Sequence, residues 1–130
     1  FAAGPHAVIE KMTMLQQFSF VCAPSPAQAA GVAALSIDMK PYVDDYRKKR
    51  DFIYQGLKDR YEVVKPQGAF YIFPKCPGGD DQAFLRRAID KKLLIVPGGA
   101  CSRRKTHFRI SYAVPDRMLE QGVEILHQLA

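Results

Sequence analysis

The sequence has few cysteines and no long hydrophobic run, and both absences argue against whole classes of protein. Its three cysteines are far apart and form no Cys-x-x-Cys pair, which argues against a disulfide framework and a zinc site. No apolar stretch approaches the ~20 residues that a membrane helix needs. The 130 residues suffice for one compact domain, or for one small domain with an appendage. Because reduced cysteines are typical of the cytosol, we expect a cytoplasmic protein.

Combinations of residues that support catalysis or metal binding are also missing. The histidines lack the spacing of metal ligands: His6, His107 and His127. The carboxylates occur in adjacent pairs that are typical of helix caps and solvated surfaces. No nucleophilic side chain can be matched with a base to form a catalytic pair. Cys101 lies in a basic loop that would lower its pKa, but no base is nearby, so we interpret it as a packing residue. The chain begins with Phe and has no secretory leader, so we expect a piece of a longer protein.

The net charge of +6 raises the question of nucleic-acid binding. Residues 1–40 contain two basic and two acidic side chains, so the whole excess lies in the remainder, with 17 basic and 11 acidic residues. Many of these charges alternate in sign, as in YRKKRD and KDRYE, which is typical of a solvated helix face. The charge pattern therefore favours an ordinary surface over a nucleic-acid partner.

Residues 1–40 are predicted to form two helices joined by an apolar segment that contains prolines. Pro5 suits the first position of a helix with one apolar face, made of Val8, Ile9, Met12 and Leu15. Ser25 is expected to cap the second helix, with Gln28 at the capping-box position. This second helix, AQAAGVAALSIDM, is almost uncharged, so we expect it to pack against another surface.

The remaining residues are predicted to alternate strands with helices. Helices should begin at Pro41, at Asp80 or Asp81, and at Pro115. Their core-facing stripes should be Val43, Tyr46, Ile53 and Leu57; Phe84, Leu85, Ala88 and Ile89; and Leu119, Val123, Leu126 and Leu129. Strands are predicted at residues 61–65, 68–73, 93–96 and 107–113. This order predicts an α/β domain in which helices cover a small sheet.

The most informative strand is HFRISYA, residues 107–113. Alternation places Phe108, Ile110 and Tyr112 on the core face and Arg109 on the opposite face, between His107 and Ser111. A strand arginine presents a planar, permanently charged fork that can bind a carboxylate with two parallel hydrogen bonds. The alternative is a surface arginine in a salt bridge, and strand spacing alone favours that alternative.

The loop PGGACSRRKT resembles a nucleotide-binding P-loop at Lys105-Thr106. Arg104, however, replaces the required glycine, and the loop leads into a strand, whereas a phosphate cradle needs the start of a helix. We therefore interpret the segment as a mobile, glycine-hinged basic loop that leads into the Arg109 strand.

A series of motifs in the same order resembles a known family: FAAGP, APSPAQ, YRKKRDF, PQGAFYIFP, LLIVPGGA and HFRISYA. Together they resemble the pyridoxal-phosphate (PLP) dependent aminotransferases of class I/II, which are aspartate-aminotransferase-like enzymes of fold type I. The resemblance covers essentially the whole chain. It implies that Arg109 binds the substrate α-carboxylate, and that the complete enzyme transfers an amino group between an amino acid and a 2-oxo acid.

The resemblance also implies what this chain does not contain. In the family the Schiff-base lysine, the phosphate-binding arginine and the aspartate beneath the pyridine nitrogen would all precede Phe1. The chain would thus have no catalytic, cofactor-binding or metal-binding residue, and alone it would be inactive. PLP would bind to the complete protein, which the resemblance implies is a homodimer, with residues 18–26 directed toward the neighbouring subunit.

The resemblance divides the chain near residue 40. Residues 1–40 would be the trailing part of the large PLP-binding domain with an interdomain helix, and residues 41–130 the carboxy-terminal small domain, with a mixed or antiparallel sheet covered by helices. The chain departs from the family at Ala100-Cys101, where many members have Phe. The resemblance therefore does not indicate which amino acid is the substrate. A non-catalytic aminotransferase-like module that binds a ligand or regulates a partner is the alternative function.

Overall fold

The computed structural model describes residues 2–130, so Phe1 of the FAAGP motif lies outside the described residues. The chain divides into two compact units: the first ends at Asp38, and the second covers Met39–Ala130. Within the described residues, no helix combines the length and apolar character that crossing a membrane requires.

The first unit contains two helices, α1 (His6–Ser19) and α2 (Ser25–Ala34). Neither helix has a buried residue, and Leu15 of the predicted apolar face is 64% exposed. The helices of this unit therefore present apolar side chains without a core of their own.

The predicted cap of α2 at Ser25 is wrong, because Ser25 is already the first helical residue. Pro24 is the capping residue, and no side chain caps the helix. Pro26 is tolerated in the first turn, where backbone N–H groups have no partner within the helix. Gln28 does reach back, but its Nε2 donates to the carbonyl of Ala23 at 2.7 Å instead of closing a capping box.

The second unit has three helices and a small sheet. In chain order the elements are α3 (Lys40–Leu57), β1 (Tyr71–Ile72), α4 (Asp81–Asp90), β2 (Val96–Pro97), a 3-10 turn (Gly98–Ala100), β3 (Phe108–Ser111) and α5 (Asp116–Leu129). The strand order is β1-β3-β2, and both pairings are antiparallel. The predicted α/β class, with helices covering a small sheet, is confirmed.

The core lies between one face of this sheet and the helices. Phe108 of β3 is fully buried, and its ring contacts Phe84 of α4 at 4.5 Å and Tyr61 at 5.8 Å between centroids. The stripe predicted for α5 is confirmed, because all four members are buried: Leu119, Val123, Leu126 and Leu129. Asp80 caps α4 as predicted, since its Oδ1 accepts from the backbone N–H groups of Gln82 and Ala83.

The strand predicted at residues 61–65 is absent. The segment forms one backbone hydrogen bond to the region of β1, from the N–H of Lys75 to the carbonyl of Glu62 at 3.0 Å. Val64 is 84% exposed, and Pro66 has no N–H with which to continue a ladder. The segment is apolar enough to be a strand, but it lacks a partner along its length.

The other strands are shorter than, or displaced from, their predicted positions. Ala69 has a left-handed φ of 59°, so the chain bends before β1 begins at Tyr71. Lys92 has φ 61°, and Leu94 is 85% exposed, so β2 begins only at Val96. A left-handed residue breaks the extended conformation that a strand needs.

The core-facing stripes predicted for two helices include residues that are exposed. On α3, Ile53 and Leu57 are buried, but Val43 is 50% exposed and Tyr46 is 38% exposed. On α4, Phe84 and Ala88 are buried, whereas Ile89 is 49% exposed. These helices are longer or more apolar than the core surface that they cover.

Candidate functional site

Arg109 lies within β3, the central strand of the sheet. Its backbone pairs with Val96 of β2, and the next residue, Ile110, pairs with Ile72 of β1. Phe108 and Tyr112 are 0% and 1% exposed, which confirms the predicted alternation of β3. Arg109 is half-buried and belongs to the opposite side of the strand from these core residues.

We call that side of the sheet the outer face; it is made of Tyr71, Phe73, His107, Arg109 and Ser111. Two contacts between neighbouring strands organise it. The His107 ring stacks on Phe73 with centroids 5.1 Å apart and planes 18° apart. The guanidinium carbon of Arg109 lies 4.5 Å from the centroid of the Tyr71 ring. His107, just before β3, and Arg109, within it, thus each lie against an aromatic ring.

The guanidinium of Arg109 has no acidic partner in the part of the chain that the structure describes. Among residues 2–130 it forms no ion pair and no side-chain hydrogen bond. Arg50, by contrast, binds the carboxylate of Asp51 with Nη2–Oδ1 at 2.7 Å. Within the described residues, therefore, no salt bridge accounts for Arg109, and its guanidinium is available to bind an anion.

His107 and Lys75 add no comparable charge to the outer face. Burial penalises the charged imidazole and lowers the pKa of His107, and the positive charge of Arg104 lowers it further. His107 is therefore mostly neutral at pH 7, with Nδ1 2.9 Å from Oγ1 of Thr106. The Nζ of Lys75 lies 2.7 Å from a carboxylate oxygen of Glu62.

The loop between β2 and β3 is built around close backbone packing. Gly98 is buried, and a Cβ there would overlap the carbonyl oxygens of Arg104 and His107. The N–H of Gly98 donates to the carbonyl of His107 at 2.8 Å, and its own carbonyl accepts from the N–H groups of Cys101 and Ser102. Gly98 therefore has a packing role in this loop, since no larger residue would fit there.

A buried carboxylate completes this loop and argues against the P-loop alternative. Asp81 is 3% exposed, and its Oδ2 accepts from the N–H of Gly99 at 2.8 Å. A phosphate would need that N–H group and would be repelled by the carboxylate. The loop also leads into β3, as the sequence predicts, and not into a helix.

The segment that precedes β1 is held by Tyr112. The Oη of Tyr112 donates to the carbonyl of Ala69 at 2.9 Å, and its N–H donates to the carbonyl of Phe70 at 3.0 Å. These two bonds fix the left-handed Ala69, a conformation that costs an L-residue roughly 1–2 kcal/mol. The side chain of Tyr71 therefore lies on the outer face.

The sequence singled out Arg109 but did not predict its contact with Tyr71 or the hydrogen bonds of Tyr112. Alternation within GAFYIF would have placed Tyr71 opposite the buried Ile72. The contact depends on the register between β1 and β3, which pairs Tyr71 with Ser111 and brings the Tyr71 ring to Arg109. A local sequence pattern does not contain this register.

The cysteines give no sign of a further reactive site. All three are unpaired; Cys22 and Cys101 are exposed, and Cys76 is buried. Burial, followed by the negative charge of Asp81, raises the pKa of Cys76 to about 11, so this thiol stays protonated at pH 7. No cluster of potential metal ligands occurs among residues 2–130.

Comparison with protein families matches residues 1–126 to the family described as "Aminotransferase class I and II". A probable aspartate aminotransferase of Methanocaldococcus jannaschii is 37% identical over 127 residues, which is 94% of this chain and 34% of the relative. The aromatic-amino-acid aminotransferase 2 of Thermococcus litoralis is 30% identical and covers 99% of this chain and 36% of the relative. The chain thus spans about a third of the length of these curated relatives.

Solved structures give the same result. An aromatic aminotransferase from Pyrococcus horikoshii superposes with a TM-score of 0.85 at 28% identity, over 97% of this chain and 36% of the other. The aspartate aminotransferase of Thermotoga maritima gives a TM-score of 0.81 at 30% identity, over 88% and 31%. Sequence and structure therefore agree on one family and on a partial match to its members.

Proposed function

The chain belongs to the class I and II aminotransferase family, and from that membership we propose that it is the carboxy-terminal part of an aminotransferase. The complete enzyme would transfer an amino group between an amino acid and a 2-oxo acid. This part would contribute Arg109, which binds the α-carboxylate of the substrate. The complete enzyme would be a cytoplasmic homodimer in which residues 1–40 belong to the large domain and residues 41–130 form the small domain.

The observation that carries the proposal is the unpaired guanidinium of Arg109 on the outer face. Its backbone is held between two strands, and its charge is permanent. A carboxylate would supply the acidic partner that Arg109 lacks among the described residues, through two parallel hydrogen bonds. Binding there would orient the amino acid by one end and leave its α-carbon directed away from the sheet.

The described residues suit one carboxylate and not the whole cofactor. PLP needs a lysine for its Schiff base and several donors for its phosphate, but Lys75, which lies beside the sheet, is engaged by Glu62. The loop most like a phosphate cradle has its Gly99 N–H bound to Asp81. PLP, which supplies the electron sink for amino-group transfer, would therefore bind elsewhere in the complete protein.

The substrate class follows from what Arg109 can contact. The relatives include enzymes named for aspartate and for aromatic amino acids, whose substrates share only the backbone atoms. An arginine that binds the α-carboxylate serves all of them equally. We propose an aspartate-like or broad specificity, with the choice of side chain made outside this site.

The test is the substitution Arg109→Ala in the complete protein. Loss of a charged, bidentate contact should raise the KM for amino acids roughly 10- to 100-fold. Arg109→Lys should recover only part of the loss, because an ammonium group cannot reproduce the planar fork. Steady-state transamination kinetics with several amino acids measure both effects.

The matched control is Arg103→Ala, which removes an exposed arginine of the neighbouring loop and should leave the KM within about twofold. Unchanged kinetics for Arg109→Ala would overturn the carboxylate role. Absence of transamination by the unsubstituted complete protein would favour the non-catalytic alternative.

A further inference from the structure

We propose that Tyr71 is a positioning residue whose ring holds the guanidinium of Arg109 in the orientation that binds a carboxylate. The inference rests on the proposed function, because it concerns binding of the same α-carboxylate of the substrate. It adds a specific contact from β1 to the position of Arg109 on β3.

The geometry of the contact is the first argument. The guanidinium carbon of Arg109 lies 4.5 Å from the centroid of the Tyr71 ring. The two other cation–aromatic contacts of the described residues are longer, at 5.7 Å for Lys65 over Tyr54 and 5.9 Å for Arg87 over Phe84. A cation within about 6 Å of a ring face is attracted by the negative charge density of that face.

The second argument is that, among residues 2–130, the guanidinium contacts Tyr71 and no other partner. Lys65 also binds the carboxylate of Asp51 at 2.9 Å, and Arg87 also donates to the carbonyl of Leu129 at 2.9 Å. Their aromatic contacts supplement a polar anchor. For Arg109 the ring takes the place of that anchor, while every N–H of the fork stays available.

The third argument is that the Tyr71 ring is itself supported. Its centroid lies 4.4 Å from that of Phe70, which lies 6.2 Å from that of Tyr46 on α3. The backbone of Phe70 is fixed by the N–H of Tyr112. A supported ring restricts the rotamers of Arg109 before substrate binds, so less conformational entropy is lost on binding.

The experiment uses the complete protein with Tyr71→Leu and Tyr71→Phe. Leucine removes the aromatic face and phenylalanine retains it, so the two variants separate the ring from the hydroxyl. The readouts are KM and kcat for an amino acid, and inhibition constants for propionate and for propylamine, which carries no carboxylate.

We expect Tyr71→Leu to raise the KM and the propionate inhibition constant by the same factor, roughly 3- to 30-fold. The kcat should change less than about threefold, because the loss falls on binding that substrate and transition state share. Propylamine should bind unchanged, and Tyr71→Phe should restore both constants to within about twofold of the unsubstituted protein.

The matched control is Tyr54→Leu, which removes the aromatic ring beneath Lys65. It should leave propionate inhibition unchanged. Should Tyr71→Leu fold poorly, Tyr71→Met provides a non-aromatic side chain of greater flexibility with the same expectation.

Three outcomes would overturn the inference: unchanged propionate binding in Tyr71→Leu, an equal loss for propylamine, or no recovery in Tyr71→Phe. An Arg109→Ala variant with normal kinetics would instead overturn the proposed function. A steep effect at Arg109 with none at Tyr71 would reject the positioning role alone.

Discussion

At the scale of single residues, Asp81 links α4 to the loop that precedes the Arg109 strand. Its side chain accepts from the N–H of Gly99, and its own N–H donates to the carbonyl of Lys105 at 3.0 Å. The carboxylate also lies in the first turn of α4, where the helix dipole favours negative charge. One buried acidic residue therefore holds both ends of the loop.

Substituting Asp81 by Ala should destabilise the chain by about 1–3 kcal/mol, because a hydrogen bond to a charged group is lost and an N–H is left without its partner. Urea denaturation followed by tyrosine fluorescence measures the free energy of unfolding, since the chain has six tyrosines and no tryptophan. Asp90→Ala, at the exposed end of α4, is the control and should cost less than about 0.5 kcal/mol. Equal costs for the two variants would contradict the anchoring role.

At the scale of elements, the packing of α3 against α5 depends on a glycine. A Cβ at Gly56 would lie 2.7 Å from Cγ1 of Val123, closer than carbon atoms can approach. The carbonyl of Gly56 also lies 2.7 Å from Nε2 of His127. The two helices therefore approach closely where α3 has no side chain.

Gly56→Ala should destabilise the chain by about 1–2 kcal/mol, because overpacking exceeds the gain in helix propensity. Adding Val123→Ala should make the double variant more stable than the two single costs predict, since the new methyl group enters the space vacated by valine. Denaturation of all three variants gives this coupling energy.

Gly122→Ala is the matched control, because a Cβ there would meet Leu93 at 3.8 Å, an ordinary contact. This substitution should be neutral or stabilising by up to about 1 kcal/mol. A Gly56→Ala variant that gains stability in the same way would show that the helices are not in close contact at Gly56.

Many of the helices and their buried faces could be predicted from the sequence, and the predictions that failed share a physical cause. The apolar stripe of α5 follows from the helical spacing of its own residues, and all four of them are buried. The missing strand at residues 61–65 and the exposed Ile89 depend on what lies opposite them, which a local pattern does not contain. The contact between Tyr71 and Arg109 needs the register of two strands far apart in sequence.

At the scale of the whole molecule, the isolated 130-residue chain should neither bind PLP stoichiometrically nor catalyse transamination. The reason is that, among the described residues, the outer face presents the guanidinium of Arg109, while the neighbouring Lys75 is engaged by Glu62. The absorbance spectrum of the chain after incubation with PLP and desalting provides the measurement. One equivalent of Schiff base per chain would contradict the prediction, and the complete protein is the positive control.

The order β1-β3-β2 has a consequence for how the second unit is made. The central strand is the last of the three in sequence, so both edge strands are synthesised before the strand that hydrogen-bonds to them exists. At roughly 5–20 residues per second, Tyr71 waits several seconds for Ser111 to follow it. The backbone groups of both edge strands therefore lack their partner in the sheet until β3 has been made.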